Sequence, residues 1–337
     1  MDFSVVIPIY KRNEIFKKCL ISINNQLLKP KEIIIVNNNT DLKDSNQLYK
    51  VIDSINFVQN INVIIINSPK NSGAIARNIG VKKSSTQLIA FLDSDVILEK
   101  EYYSTLIKYF SKNSDLIAIQ GVDKSFVKSQ KKFQHSSFFN KLANYIEEFF
   151  ETSSLHNRKR AFVSPSLAVS HPNVKKEFEI TTEWVSTCAG IFKRKLFDKY
   201  QFPNQFVTYS NNEYLFLSYS LFLNKEGLML YTSKAQYIDV QTSKGRLNYI
   251  PLIFQIQVND YFIFCRLFKR NFYNIIVFVK SRFGHLIINF LRLFSRNIFS
   301  FRNLLFVLLS SIYPIIFIRF ILKGDLSFYE KHFSNYQ

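Results

Sequence analysis

The chain has 337 residues, enough for one large domain or two with a real core. Lys and Arg number 44 against 25 Asp and Glu, a formal net charge of +19, which points to an anionic partner: a phosphorylated substrate, anionic lipid or nucleic acid. Cys19, Cys188 and Cys265 form no CxxC and no Cys/His pairing at zinc spacing, which argues against a disulfide framework or structural zinc and suits a reducing compartment. No helix-turn-helix, zinc or aromatic RNA-binding pattern accompanies the charge, so nucleic acid drops out as a partner.

In chain order, "MDFSVVIPIYKR" is acidic first and basic after, the reverse of a secretory leader, and reads as a buried strand starting almost at once. That places the folded part in the cytoplasm. Ile-, Val- and Phe-rich runs predict strands at 3–10, 32–38, 62–68 and 88–93, while apolar residues at helical spacing predict helices at 14–27 and 72–84. Strands alternating with helices, each strand apolar throughout, define an α/β chain with a parallel sheet covered on both faces. Ligands then lie beyond the carboxyl ends of the strands, where the sequence carries "YKR", "NNNTD", "SPKNSG" and "DSD". Residues 99–181 are mixed and polar, with a basic "HNRKR" at 156–160. "EWVSTCAGIFKRKLF" (183–197) reads as a strand running into basic and apolar positions, and 213–227 as a helix capped by Gly227. From about residue 246 the composition turns to Phe, Leu and Ile with 12 basic and 3 acidic side chains.

The run "LIAFLDSDVI" ends in two carboxylates one residue apart, Asp93 and Asp95. Such a pair is either a turn with an Asp cap or a set of oxygen ligands for a divalent cation. Standing past a strand end, Asp95 is not expected to support the core.

"VVIPIYKR", "EIIIVNNNT", "NSGAIARNIGVKKSSTQLIAFLDSDV" and "TEWVSTCAGIFKRKLF", in that order, resemble family 2 glycosyltransferases of the GT-A fold. The segment 209–246 resembles the same family's acceptor side, so the likeness spans roughly residues 3 to 270. Its specific part is the Arg-Asn-Gly helix start followed by a strand ending in DSD. The resemblance implies a Rossmann-like, mostly parallel sheet in a catalytic domain over 1–246, with a nucleotide-sugar half (1–100) and an acceptor half (101–246). It implies an enzyme that moves a sugar from a nucleotide-diphospho-sugar donor to a glycan or lipid-linked acceptor with inversion, using Mg²⁺ or Mn²⁺, in cell-surface polysaccharide synthesis.

Carried over residue by residue, Asp95 would hold the metal and Asp93 would sit by the ribose or orient the metal. Pro8, Tyr10 and Arg77 fall where the family meets the nucleotide, and Arg246 where a basic residue meets the departing diphosphate. Asp239 takes the place of a His that completes the metal site. Glu213 would be the catalytic base, and Glu183 and Trp184 an acceptor-facing pair. Each has a plainer reading: a surface ion pair for Arg77, a helix N-terminal acid for Glu213, a polar strand end for Asp239 and a core residue for Trp184. Two departures stand out. Asn37, Asn38 and Asn39 replace an Asp that accepts from the base, so Asn37 and Asn38 become the donor-side candidates. Tyr214 stands where the family has a second acid. Both departures suggest the alternative of a degenerate, non-catalytic member or partner subunit.

Residues 247–337 read as a basic, apolar helical region attached to the inner face of a membrane. The longest uncharged run, Asn303–Ile318, has 16 residues, short of the roughly 20 a spanning helix needs. Pro314 interrupts it and Arg302 and Arg319 bracket it, while Arg292 and Arg296 sit among aromatic and aliphatic residues as in an interfacial helix. The alternative is a helical subdomain packed on the catalytic domain or on a second subunit, which leaves a homo-oligomer open.

Overall fold

The computed structural model describes residues 1–39, 41–58, 60–125, 145–208, 210–242, 247–295 and 298–333. The chain divides into two compact units, Met1–Lys128 with Val174–Arg246, and Ser129–Asn173 with Leu247–Gln337. The division falls at 246/247, and it also groups Ser129–Asn173 with the C-terminal residues, which no periodicity in the sequence marks.

The first unit is a mixed sheet with a parallel half. Strands β1 (Phe3–Ile9), β2 (Glu32–Asn37), β3 (Asn62–Asn67) and β4 (Leu88–Phe91) run parallel in the order β3-β2-β1-β4, with Val5 beside both Ile33 and Ala90. β1, β2 and β4 are buried almost throughout, as their unbroken apolar runs require. β3 is half-exposed because it lies at the edge. The rest of the sheet is β5 (Val96–Leu98), β6 (Leu116–Asp123), β7 (Glu179–Thr181), β8 (Ile191–Lys193) and β9 (Leu228–Asp239). β8 lies antiparallel between β4 and β6, β6 runs parallel to β9, and β5 and β7 pair antiparallel with β9.

Helices α1 (Asn13–Asn24), α2 (Leu42–Asp53), α3 (Gly73–Lys83), α4 (Tyr102–Lys112) and α5 (Glu213–Leu223) join these strands. α2 was not legible: it buries only Leu48 and Ile52, too few apolar positions for a clear helical stripe, and it starts because Asp41 accepts from Lys43 N–H. α3 lies against β1, where a Cβ on Gly80 would meet Val6 Cγ1 at 2.2 Å.

The strand expected from residue 183 begins only at Ile191. Thr182 Oγ1 donates to Trp184 O and accepts from Trp184 N–H, and Ser186 Oγ accepts from Cys188 N–H, so side-chain hydroxyls take the bonds a ladder would use. α5 ends at Leu223, short of Gly227, with Asn224 as its cap. Gly227 instead adopts φ 150° at the entry to β9, where a Cβ would sit 2.6 Å from Asp115 O.

The second unit contains helices Tyr249–Leu267, Phe272–Ser295, Phe301–Ile316, Ile318–Lys323 and Ser327–Phe333. Arg282 is buried against Asp260, and it also donates to Ser166 O at 3.1 Å. Along Phe272–Ser295, the residues Phe272, Ile276, Val279, Phe283, Phe290 and Phe294 form an exposed row at steps of three, four and, from Phe283 to Phe290, seven residues. Among the described residues one helix, Phe272–Phe294, is long and apolar enough to cross a membrane. It is not the run singled out in the sequence: Asn303–Ile318 breaks at Phe317 between two helices.

Candidate active site

The carboxyl ends of β1, β2 and β4 and the starts of α3 and α5 bring together most of the expected side chains. At the end of β4, Asp93 N–H donates to Cys188 O at 2.9 Å, which ties the DSD turn to the segment before β8. Asp93 Oδ1 accepts from Arg77 Nη2 at 2.6 Å, and Arg77 Nη1 lies 2.8 Å from Glu213 Oε1. Arg77 is therefore no surface ion pair. It is buried on α3, and its guanidinium bridges the Asp93 and Glu213 carboxylates. Its position is fixed locally: Ser72 caps α3 by accepting from Ile75 N–H, and the bare Cα of Gly73 leaves room for Arg77 Nη1.

Glu213 is the first residue of α5, with Thr187 Oγ1 at 3.5 Å from Oε1. Burial pushes its carboxyl up to about 7 even though Arg77 pulls it down. A carboxyl poised there is matched to proton transfer near neutral pH. Tyr214 turns elsewhere, edge-on to Trp184.

Asp95 is nearly fully buried, and its Oδ1 lies 2.8 Å from Arg12 Nη1. The expectation that Asp95 stands apart from the core is thus corrected: it is one half of a buried ion pair. The β5–β9 ladder places Asp239 opposite Val96, and Asp239 N–H donates to Asp123 Oδ1 at 3.2 Å. Burial and the neighbouring Asp95 push the Asp239 carboxyl up to about 7. Among the described residues, no three His, Cys, Asp or Glu side chains form a ready-made metal cluster.

The three asparagines divide the work. Asn37 uses its whole amide inside the protein, donating to Ser45 Oγ and Asn67 Oδ1 and accepting from the backbone and side-chain N–H of Asn39. Asn39 Oδ1 accepts from Lys11 N–H at 2.8 Å. Asn38 is buried, and among the described residues its Oδ1 has no partner. Of the two, Asn38 rather than Asn37 keeps an uncommitted acceptor among the described residues, enclosed by the protein. Asn38→Ala is expected to weaken nucleotide binding with little change in melting temperature. Asn37→Ala is expected to lower stability by about 1–3 kcal/mol, because it strands buried polar groups. Calorimetry and thermal melting check the split, and the reverse pattern would reassign the pair.

Pro8, opposite Val36, and Tyr10, with Lys11 Nζ 5.0 Å from its ring centroid, are half-buried at the β1 end. Glu183 is half-buried. Trp184 is 4% exposed and packs on Tyr214 and Tyr231, which leaves little surface for stacking a sugar. Arg246 lies outside the described residues. Arg12 and Asp123 were not singled out in the sequence; the "YKR" at the strand end was the only signal for Arg12.

Carboxylates and a bridging arginine at the ends of a parallel half-sheet, continued by an antiparallel β8, are the plan of a GT-A transferase. The chain belongs to glycosyl transferase family 2, whose sequence model matches residues 4–174. It is 26% identical over 232 residues to "Glycosyltransferase GlyA" of Streptococcus pneumoniae, covering 65% of this chain and 30% of that protein. It is 30% identical over 119 residues to "Poly(ribitol-phosphate) beta-N-acetylglucosaminyltransferase TarP" of Staphylococcus aureus, covering 34% of this chain and 35% of that one. The chain thus spans about a third of the length of these curated relatives or less. In fold it resembles S. aureus TarS, with a TM-score of 0.50 at 13% identity, over 98% of this chain and 89% of that one. It also resembles the mannosyltransferase PcManGT of Pyrobaculum calidifontis, solved with GDP-Man and Mn²⁺, with a TM-score of 0.52 at 11% identity, over 93% and 75%.

Proposed function

We propose that this chain transfers a sugar from a nucleotide-diphospho-sugar to a hydroxyl of a glycan or lipid-linked acceptor, with inversion, in the synthesis of a cell-surface polysaccharide. The observation that carries this reading is the Arg77 bridge, which joins Asp93 to a Glu213 poised near neutral pH. In the reaction the acceptor oxygen attacks the anomeric carbon, its proton passes to the Glu213 carboxylate, and the nucleoside diphosphate leaves with the bonding electron pair. Arg77 holds Glu213 Oε1 in place, and Asn38 meets the base. The names of relatives fit: besides TarP, they include "Minor teichoic acid biosynthesis protein GgaB" of Bacillus subtilis and "Amylovoran biosynthesis glycosyltransferase AmsB" of Erwinia amylovora.

The residues present suit a divalent cation. Asp95 and Asp239 are hard oxygen donors; burial first and then Asp95 raise the Asp239 carboxyl, and a cation would relieve the second effect. These two, with Asp93, would hold Mg²⁺ or Mn²⁺, which when bound neutralises charge on the diphosphate as a Lewis acid. The absence of a preformed cluster is consistent with donor oxygens completing the shell. The test is release of nucleoside diphosphate from a full panel of nucleotide sugars, with and without Mn²⁺. Silence across the panel would favour the non-catalytic alternative.

The helical unit attaches the enzyme to the inner face of the membrane in this reading, close to a lipid-linked acceptor. The exposed row on Phe272–Ser295, with Lys269, Arg270 and Arg292 on or near that helix, suits an anionic leaflet, where each basic side chain contributes about 1 kcal/mol. Sedimentation with anionic liposomes at low salt is expected to carry the protein down. A chain that stays in the supernatant without detergent is not membrane-attached.

A further inference from the structure

Arg12 belongs to none of the roles above, yet its guanidinium lies against the carboxylate assigned to the cation, with Nη1 2.8 Å from Asp95 Oδ1 and both side chains largely buried. The backbone is arranged to put it there. Lys11 has φ 55°, a left-handed conformation that a non-glycine residue adopts only when its surroundings impose it. What imposes it is the Asn39 side chain, whose Oδ1 accepts from Lys11 N–H while its Nδ2 is anchored on Asn37 Oδ1. Arg12 O then accepts from Phe16 N–H, which fixes the residue at the start of α1. Asn39, anchored on Asn37, is therefore a clamp on the Lys11–Arg12 turn.

We infer that Arg12 is a resident counter-ion that occupies Asp95 until a divalent cation and the donor arrive together. Asp95, buried at the end of β4, needs a positive partner in the resting protein, because an uncompensated buried charge is strongly unfavourable. Arg12 supplies it. A cation and a guanidinium repel one another at the Asp95 carboxylate, so a cation that takes Oδ1 competes with Arg12 for it. The released side chain carries a delocalised charge and a planar fork of donors suited to a diphosphate. Cation alone then binds weakly, since it competes with that partner. Cation with a diphosphate binds better, since Arg12 gains a new anion. Coupling of this kind is reciprocal between the two ligands. The inference rests on the reading of Asp95 as a cation ligand.

The test uses the full chain and Mn²⁺ alone, with free Mn²⁺ followed by electron paramagnetic resonance. Arg12→Met, which keeps the stem and removes the charge, is expected to bind Mn²⁺ about tenfold tighter than wild type without nucleotide. That gain is expected to vanish in the Arg12→Met, Asp95→Asn double variant. Added UDP is expected to tighten Mn²⁺ binding in wild type more than in Arg12→Met. Asn39→Ala, which frees the turn but keeps the arginine, is expected to move Mn²⁺ affinity the same way by less, and it serves if Arg12→Met fails to fold. Unchanged or weaker Mn²⁺ binding in these variants, with wild-type circular dichroism, overturns the inference. So does a tightening that survives Asp95→Asn. A failed nucleotide-sugar panel with the Mn²⁺ effect intact would instead remove the proposed reaction and leave the Arg12–cation competition standing.

Discussion

Asp95→Asn is expected to lower transfer about 10³-fold or more while leaving a folded protein. The substitution keeps the shape and one oxygen but removes the charge that a divalent cation requires, and Lewis-acid neutralisation of a leaving group is worth several kcal/mol. The choice of Asn over Ala follows from the Arg12 contact. Removing the side chain outright would leave Arg12 buried without its carboxylate, and breaking such a pair typically costs about 3–5 kcal/mol. Asp95→Ala is thus expected to be inactive and the more destabilised of the two, since Asn also ends the ion pair but keeps an oxygen that can accept from Arg12. Steady-state turnover beside a thermal melt checks it. Wild-type turnover with unchanged Mn²⁺ dependence would remove Asp95 from the site.

Glu213→Gln is expected to lower turnover by about 10²–10⁴ with donor affinity little changed, the usual signature of losing a general base. Its carboxyl, pushed up to about 7 by burial against the pull of Arg77, gives the reaction a pH dependence of definite sign. The base must be ionised to accept a proton, so wild-type turnover is expected to rise with pH through about 7. At pH 6 only about a tenth of the molecules would carry the ionised form. Asp239 titrates in the same range from its own burial and from Asp95, so the two must be separated. The Asp239→Asn variant is expected to keep the rise and Glu213→Gln to flatten it. A rise retained in Glu213→Gln but lost in Asp239→Asn would move the base to Asp239.

Much of the fold was legible because its signals are local. Short, mostly apolar runs marked β1, β2 and β4, and polar residues after each run marked the edge where the candidate site lies. The misses have local causes too. α2 buries two residues and shows no stripe, while the run from 183 satisfies its backbone with hydroxyls instead of a ladder. Gly227 was read as a helix cap, whereas its positive φ serves the close passage into β9.

The site divides in the same way. Asp93, Asp95, Arg77, Glu213 and Asp239 were candidates from the sequence, because they fall on the motifs that carry the family likeness. Who touches whom could not be named. Arg77 joins Asp93 to Glu213 only because α3 packs on β1 and the start of α5 comes alongside it, and Arg12 reaches Asp95 only because β4 lies next to β1. Asn37, Asn38 and Asn39 are identical in type and adjacent in sequence, yet one is saturated, one clamps Lys11 and one keeps an unused acceptor. By itself the sequence determined the α/β order and the polar edge, since periodicity is a property of neighbouring residues, and its motifs carried the likeness to the family. Only the tertiary structure decided which charges are paired and which carboxyls sit near neutrality, since ion pairing and desolvation depend on distances between segments far apart in the chain.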